Sequence, residues 1–244
     1  MNKFGLIGYP LGHSFSKNFF NQKFQSENID AEYVNFEIPN INELHNILLS
    51  NSDLAGLNVT IPYKEQVIPF LDEVDADAKA IGAVNVIKIR RQKGKLKLIG
   101  YNSDIIGFTD SIEPLLEYQH KKALILGTGG VSKAVQYALQ QLGIEYTLVS
   151  RHKLSDVLCY NDITASVMVA HTLIVNCTPL GMHPYESGLP KIPYEYLTES
   201  HLLFDCIYNP AKTLFLQEGE KHGCRIKNGL EMLHIQADKA WDIW

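Results

Sequence analysis

Little in this sequence suits it to a membrane, a metal or a nucleic acid. No apolar stretch approaches the roughly 18 residues of a membrane span. The short apolar run in MNKFGLIGYPLGHS is cut by Gly5, Gly8 and Pro10, too broken for a signal-peptide core. Cysteine is sparse: Cys159, Cys177, Cys206 and Cys224 occur singly, with no CxxC pair. That pattern excludes a disulfide framework and a zinc site, and leads us to expect reduced thiols in a cytoplasmic protein. No metal-ligand cluster is apparent, so no metal is expected. A basic excess is missing too, since 22 Lys and Arg face 27 Asp and Glu for a formal net charge of −5. The balance argues against a general nucleic-acid or membrane-surface binder. Internal repeats and low-complexity segments are absent. What remains is a chain of 244 residues, 45% hydrophobic and 20% charged, which is the composition of a folded globular protein. Its expected partner is a small molecule, and monomer and homodimer are both compatible with it.

The pattern along the chain is layered α/β. Phe4–Gly8 is a buried-strand candidate, and Phe19, Phe20 and Phe24 then recur at helical spacing. Asn40-Ile41-Asn42-Glu43 resembles a capping box ahead of a face formed by Ile41, Leu44, Ile47 and Leu48. Leu54–Val59 reads as a strand, and Val84–Ile89 with Lys95–Ile99 as a hairpin around Gly94. From about Asp104 the alternation is strictly βαβ. Ile105–Tyr118 is helix-like, Ala123–Leu126 a strand, Val131–Leu142 a helix and Tyr146–Ser150 a strand. Leu173–Cys177 and Leu202–Cys206 are later buried strands, and Leu230 to Trp244 is helical. We expect a boundary near Tyr101-Asn102. Residues 1–101, with 229–244 returning to them, would form one α/β domain, and residues 102–228 a Rossmann-like domain.

The turn Gly127-Thr128-Gly129-Gly130-Val131-Ser132 follows a strand and opens a helix, where a dinucleotide fingerprint belongs. Gly127 allows the tight turn, Gly129 lets a pyrophosphate approach the backbone, and the helix N-terminus offers N–H groups and positive dipole. Small Ser132 stands where a third glycine packs helix on strand. In NAD-binding folds an acid about 20 residues on, at the next strand end, takes the ribose 2′-hydroxyl. Here that strand ends in Ser150-Arg151-His152, with no acid. Arg151 offers a planar fork for a 2′-phosphate beside the Ser150 hydroxyl, which favours NADP. The competing reading is a solvated basic loop.

Three further segments are rich in small polar groups. In Gly8-Tyr9-Pro10-Leu11-Gly12-His13-Ser14-Phe15-Ser16, the two serines either grip a substrate carboxylate or cap the following helix. Asn58-Val59-Thr60-Ile61-Pro62-Tyr63-Lys64 places Asn58 and Thr60 on one strand face and Lys64 just beyond, as a site residue or a solvated lysine. Tyr101-Asn102-Ser103-Asp104 opens a helix, where Asp104 is most simply an N-cap. Gly82-Ala83-Val84-Asn85 adds an amide at a strand start.

Together with Asn176-Cys177-Thr178-Pro179-Leu180-Gly181-Met182, Asp205-Cys206-Ile207-Tyr208-Asn209-Pro210 and Gly229-Leu230-Glu231-Met232-Leu233-His234-Ile235-Gln236-Ala237, these segments resemble the shikimate dehydrogenase family, in family order over nearly the whole chain. The resemblance implies NADP-dependent interconversion of 3-dehydroshikimate and shikimate. It implies that Ser14 and Ser16 bind the carboxylate with Tyr208 nearby, that Thr60, Asn85, Asp104 and Gln236 bind ring hydroxyls, and that Lys64 and Asp104 form the catalytic pair. It assigns Gly127, Thr128, Gly129, Gly130, Val131, Ser150, Arg151 and His152 to the cofactor, with Cys206, Gly229 and Met232 near the nicotinamide. Lys17, Thr128 and His152 depart from the usual proline, alanine and threonine, and none removes a predicted catalytic group. Two rival readings are a quinate/shikimate dehydrogenase with relaxed substrate or NAD use, which an acid after Val149 would have favoured, and a silent NADP-binding sensor. Loss of Lys64 or Asp104 would have signalled the sensor.

Overall fold

The computed structural model describes residues 1–12, 15–92 and 94–244. Its chain separates into two units, residues 1–103 with 237–244, and residues 104–236.

The first unit opens with β1 (Asn2–Gly8), α1 (Phe15–Ser26), β2 (Ala31–Glu37), α2 (Leu44–Ser50) and β3 (Leu54–Val59). It continues with β4 (Glu73–Val74), α3 (Ala76–Ile81), β5 (Val86–Gln92) and β6 (Lys95–Tyr101). These strands form one mixed sheet in the order β2-β1-β3-β5-β6-β4. β1 runs parallel to both β2 and β3, whereas β5 is antiparallel to β3 and to β6. The hairpin expected around Gly94 is therefore present, with Gly94 at a left-handed φ of 76° that a glycine adopts without strain. Ahead of α2, Asn40 caps a 3-10 turn by accepting the Asn42 N–H at 2.9 Å. Ile41, Leu44, Ile47 and Leu48 are buried as their spacing predicts. A second cluster is aromatic: Phe20 stacks on Tyr33 at 4.7 Å, and Phe4 lies 4.8 Å from Trp244.

The second unit contains α4 (Asp104–Ile112), β7 (Lys122–Leu126), α5 (Gly130–Gln141), β8 (Glu145–Ser150), β9 (Val157–Cys159) and α6 (Ala165–Ala170). β10 (Leu173–Asn176), β11 (Leu202–Asp205), α7 (Leu214–Lys221), β12 (Arg225–Lys227) and α8 (Leu230–Ile243) complete the chain. The last residues of α8 belong to the first unit. Every strand pair here is parallel, in the order β12-β11-β10-β7-β8-β9. In chain order that is 3-2-1-4-5-6 read from the β9 edge, the topology of doubly wound dinucleotide-binding sheets. Strands covered on both faces read as unbroken aliphatic runs, and Ala123–Leu126 and Leu173–Val175 are fully buried. One expectation is corrected: the helix from Ile105 stops at Ile112 and passes into a 3-10 turn, Glu113–Leu115. Pro114 has no N–H to continue the ladder, and its ring clashes with the carbonyl one turn back.

Candidate functional site

In the second unit β7 and β10 pair side by side at the point where the strand order reverses, which is where doubly wound sheets bind ligands. Gly127 ends β7 at φ 104°, and its N–H donates to the Val149 carbonyl at 2.9 Å, tying the turn to β8. A Cβ there would come within 3.0 Å of Thr178 Cγ2, so both backbone conformation and space demand glycine. Gly129 precedes α5 in an extended conformation, and a Cβ on it would meet nothing within 4 Å. No side chain caps α5, so its first N–H groups remain for a phosphate, with Thr128, Gly130 and Val131 around them. Ser132, small and buried, accepts a bond within α5 from Gln136 Nε2 at 3.1 Å. These residues fit a pyrophosphate.

At the end of β8 the Ser150 hydroxyl accepts the His152 N–H at 3.2 Å, which turns the loop and leaves Arg151 and His152 exposed. Burial pushes the Tyr160 phenol up, and the positive charge of Arg151 opposes that rise.

The loops after β10 and β11 are held by a buried network. Asp205 accepts from Asn176 Nδ2 at 3.0 Å, the Ile207 N–H at 3.0 Å and the Thr213 hydroxyl at 2.5 Å. Burial pushes its carboxyl up to about 6, while these donors pull the other way. Asn176 in turn accepts from the Thr178 N–H and hydroxyl at 3.0 and 2.7 Å. Gly229 donates to the Ile207 carbonyl at 3.0 Å and lies so close to the Cys206 carbonyl that a Cβ has no room. Met232 is buried on α8. Gly107 lets α4 approach that helix, since a Cβ there would meet the Met232 carbonyl at 2.7 Å and Gln236 Cβ at 3.0 Å. Buried Asp104 is the first residue of α4, one turn before Gly107, and its charge reaches the Cys206 thiol. Gln236 Nε2 donates to the Leu233 carbonyl at 2.9 Å, and burial raises the Tyr208 phenol. Asp104, Cys206, Gly229, Met232 and Gln236 are thus brought together by neighbouring elements of this unit.

The first unit gathers polar side chains at the ends of β1 and β3 and the start of β5. Fully buried Tyr33 donates to Asn58 Oδ1 at 2.7 Å and is also hydrogen-bonded to Ser16. Asn58 Nδ2 reaches the Asn85 carbonyl at 3.4 Å. The Asn85 amide exchanges two bonds with Ser103, giving Nδ2 to its hydroxyl at 3.1 Å and accepting its N–H at 2.7 Å. Thr60 donates its N–H to the Ile7 carbonyl at 2.9 Å, and the Lys64 carbonyl accepts from Val84 at 2.7 Å, so both follow β3 into this cluster. Ser16 is the second residue of α1 and not its cap. Ser14 lies outside the described residues. Spacing did not single out Tyr33, because its strand is not marked by alternation, nor Asp205, which entered only as the first residue of the motif Asp205-Cys206-Ile207-Tyr208-Asn209-Pro210.

Residues 6–87 match a known family model, the shikimate dehydrogenase substrate binding domain. A shikimate dehydrogenase (NADP(+)) of Carboxydothermus hydrogenoformans is 40% identical, covering 98% of this chain and 90% of its own. The crystal structure of shikimate dehydrogenase from Aquifex aeolicus superposes with a TM-score of 0.87 at 34% identity, covering 100% of this chain and 92% of that one. The Thermus thermophilus enzyme, solved in complex with NADP(H) and shikimate, gives 0.86 at 28% identity, covering 100% and 93%. With that identity sustained along the whole chain, and with the glycine turn and the doubly wound sheet in place, the chain belongs to the shikimate dehydrogenase family.

Proposed function

We propose that this protein reversibly reduces 3-dehydroshikimate to shikimate with NADPH, in the biosynthesis of chorismate and the aromatic amino acids, and that it works in the cytoplasm. The observation that carries the reading is the 40% identity to a named NADP-dependent relative across 98% of the chain. Most of the residues proposed to bind the substrate belong to the first unit. Ser14 and Ser16, with Tyr208, bind its carboxylate, and Thr60, Asn85, Asp104 and Gln236 bind its hydroxyls. The second unit takes NADP, with Gly127 to Val131 on the pyrophosphate and Ser150, Arg151 and His152 on the 2′-phosphate. Cys206, Gly229 and Met232 lie against the nicotinamide.

The bound cofactor supplies the hydride. What the chain must supply is a proton at the oxygen where negative charge develops. Lys64 donates that proton as an ammonium and polarises the carbonyl, and Asp104 is the other member of the catalytic pair. The Lys64 carbonyl anchor to Val84 and the buried Asn85–Ser103 bonds give the surrounding backbone a rigid frame.

Absorbance at the nicotinamide band, with shikimate and quinate each offered NADP and NAD, tests the reading. Turnover is expected with shikimate and NADP above the other three combinations. Folded protein that binds NADP but turns over neither acid would defeat it and leave the sensor reading. Preference for quinate with NAD would defeat it in favour of the other rival.

A further inference from the structure

Four cysteines were expected to stand alone, yet two of them meet. The sulfurs of Cys177 and Cys206 lie 3.8 Å apart. Each directly follows the last residue of its strand, and the paired residues Asn176 and Asp205 set them side by side. The Cys206 N–H donates to the Asn176 carbonyl at 3.0 Å, which continues the ladder into the pair. Neighbouring strands lie about 4.8 Å apart, inside the roughly 4.4–6.8 Å that a disulfide spans between Cα atoms. Closing the sulfurs from 3.8 Å to about 2.05 Å takes side-chain rotation together with a small shift of the strand ends that carry them. Among the described residues no third metal-ligating side chain joins them, so a metal site is not indicated.

We propose that Cys177 and Cys206 form an oxidative modification site, which a two-electron thiol oxidant such as hydrogen peroxide closes into a disulfide that weakens NADP binding. The second half of that statement rests on the cofactor reading above. In the first step the Cys177 sulfur attacks a peroxide oxygen, the O–O bond breaks, and a sulfenic acid and one water form. In the second step the Cys206 sulfur attacks the Cys177 sulfur. The S–O bond breaks, and the leaving hydroxide takes the Cys206 proton as a second water. Two thiols lose two electrons in all, and one peroxide becomes two waters.

The order of reaction follows from the surroundings. The hydrogen bond to Cys177, burial and the charges of Asp205 and Asp104 all push the Cys206 thiol well up, so it keeps its proton and reacts second. The consequence for the cofactor follows from packing. A Cβ on Gly127 would lie 3.3 Å from the Cys177 carbonyl, and Gly229 presses on the Cys206 carbonyl. Drawing the sulfurs together therefore moves backbone that touches both the dinucleotide turn and the start of α8. Cys224 has no such partner, since its thiol donates to the Thr198 carbonyl at 3.3 Å.

Peroxide titration of the full chain tests this with two independent readouts. Peptide mass spectrometry should find 177 linked to 206 with the loss of two hydrogens, and nicotinamide fluorescence should show NADPH affinity lower by about tenfold or more. Dithiothreitol should reverse both. Cys177→Ser and Cys206→Ser, each compared with its own untreated sample, should lose the response, and Cys159→Ser and Cys224→Ser should keep it. Sulfinic acid at Cys177 without linkage, or full linkage with unchanged NADPH affinity, would overturn the proposal. Reduced protein that binds no NADPH would instead count against the cofactor reading, and the linked peptide would then still establish or refute the disulfide itself.

Discussion

The strand ends of the first unit are organised by uncharged side chains, and those of the second by glycine backbone together with a buried carboxyl. Tyr33, Asn58, Asn85 and Ser103 form a neutral buried chain in which amides and hydroxyls satisfy one another. The corresponding edge of the second unit relies on Gly127, Gly129 and Gly229, where the absence of a Cβ permits close approach or leaves room. The difference suits the ligands proposed for each. A small polyhydroxylated acid is recognised by directed side-chain groups, whereas a pyrophosphate is held by N–H groups at a helix start. The buried polar groups differ in kind as well. The first unit's are uncharged, and the second unit's network is centred on the Asp205 carboxyl, raised to about 6. The first unit adds an aromatic cluster around Phe20, Tyr33 and Trp244 to its aliphatic one, whereas the second is built on aliphatic strands sealed on both faces.

The strongest way to probe this division is to cross it, because Lys64 belongs to the first unit and Asp104 to the second. If the two act as a pair, Lys64→Ala and Asp104→Ala should each lower kcat by about 10²- to 10⁴-fold. The double variant should lose much less than the product, since groups acting as a unit are non-additive. NADP affinity should barely change. Parent-rate turnover of shikimate by folded Lys64→Ala protein would remove Lys64 from the mechanism.

A pH series on stability separates the neutral network from the ionisable one. Below about pH 4 the Asp205 carboxyl is protonated in both folded and unfolded chains. Between about 4 and 6 the unfolded chain releases that proton while the folded one keeps it, so stability falls as pH rises, by up to about 3 kcal/mol, and is level above. Thermal melts of parent and Asp205→Asn protein should differ in slope across that window. Parallel curves would mean that the three donors, not burial, dominate at Asp205. Substituting Asn85 should leave the pH dependence untouched.

Smaller still is the contribution of one exposed charge. Arg151→Ala should raise KM for NADP by roughly ten- to a hundredfold, since a charge-assisted phosphate contact is worth about 1.5–3 kcal/mol. NAD use should scarcely change. Equal loss with both cofactors would show that Arg151 supports its loop and does not read the 2′-phosphate.

Much of the second unit was legible because its signals are local. The run Ala123–Leu126 into Gly127-Thr128-Gly129 needs only neighbours in sequence to declare strand, turn and helix start. The helix after Asp104 was overextended because its apolar spacing continues past Pro114. Short edge strands such as β9 and β12, three residues each, carry too little pattern to be seen. In the first unit, Ser16 looked equally like a cap, and only the fold turned its hydroxyl toward Tyr33.

By itself the sequence determined the two kinds of layer, the dinucleotide turn and the absence of an acid after Val149, because each is written in the period, glycine placement or charge of adjacent residues. Strand order was decided by the tertiary structure alone. That order set β10 between β7 and β11, and so brought Cys177, 29 residues distant in sequence, within 3.8 Å of Cys206 and both beside Gly127 and Gly229. Contacts of this kind depend on which strands pair, and pairing is settled by burial across the whole sheet, which no local stretch of sequence records.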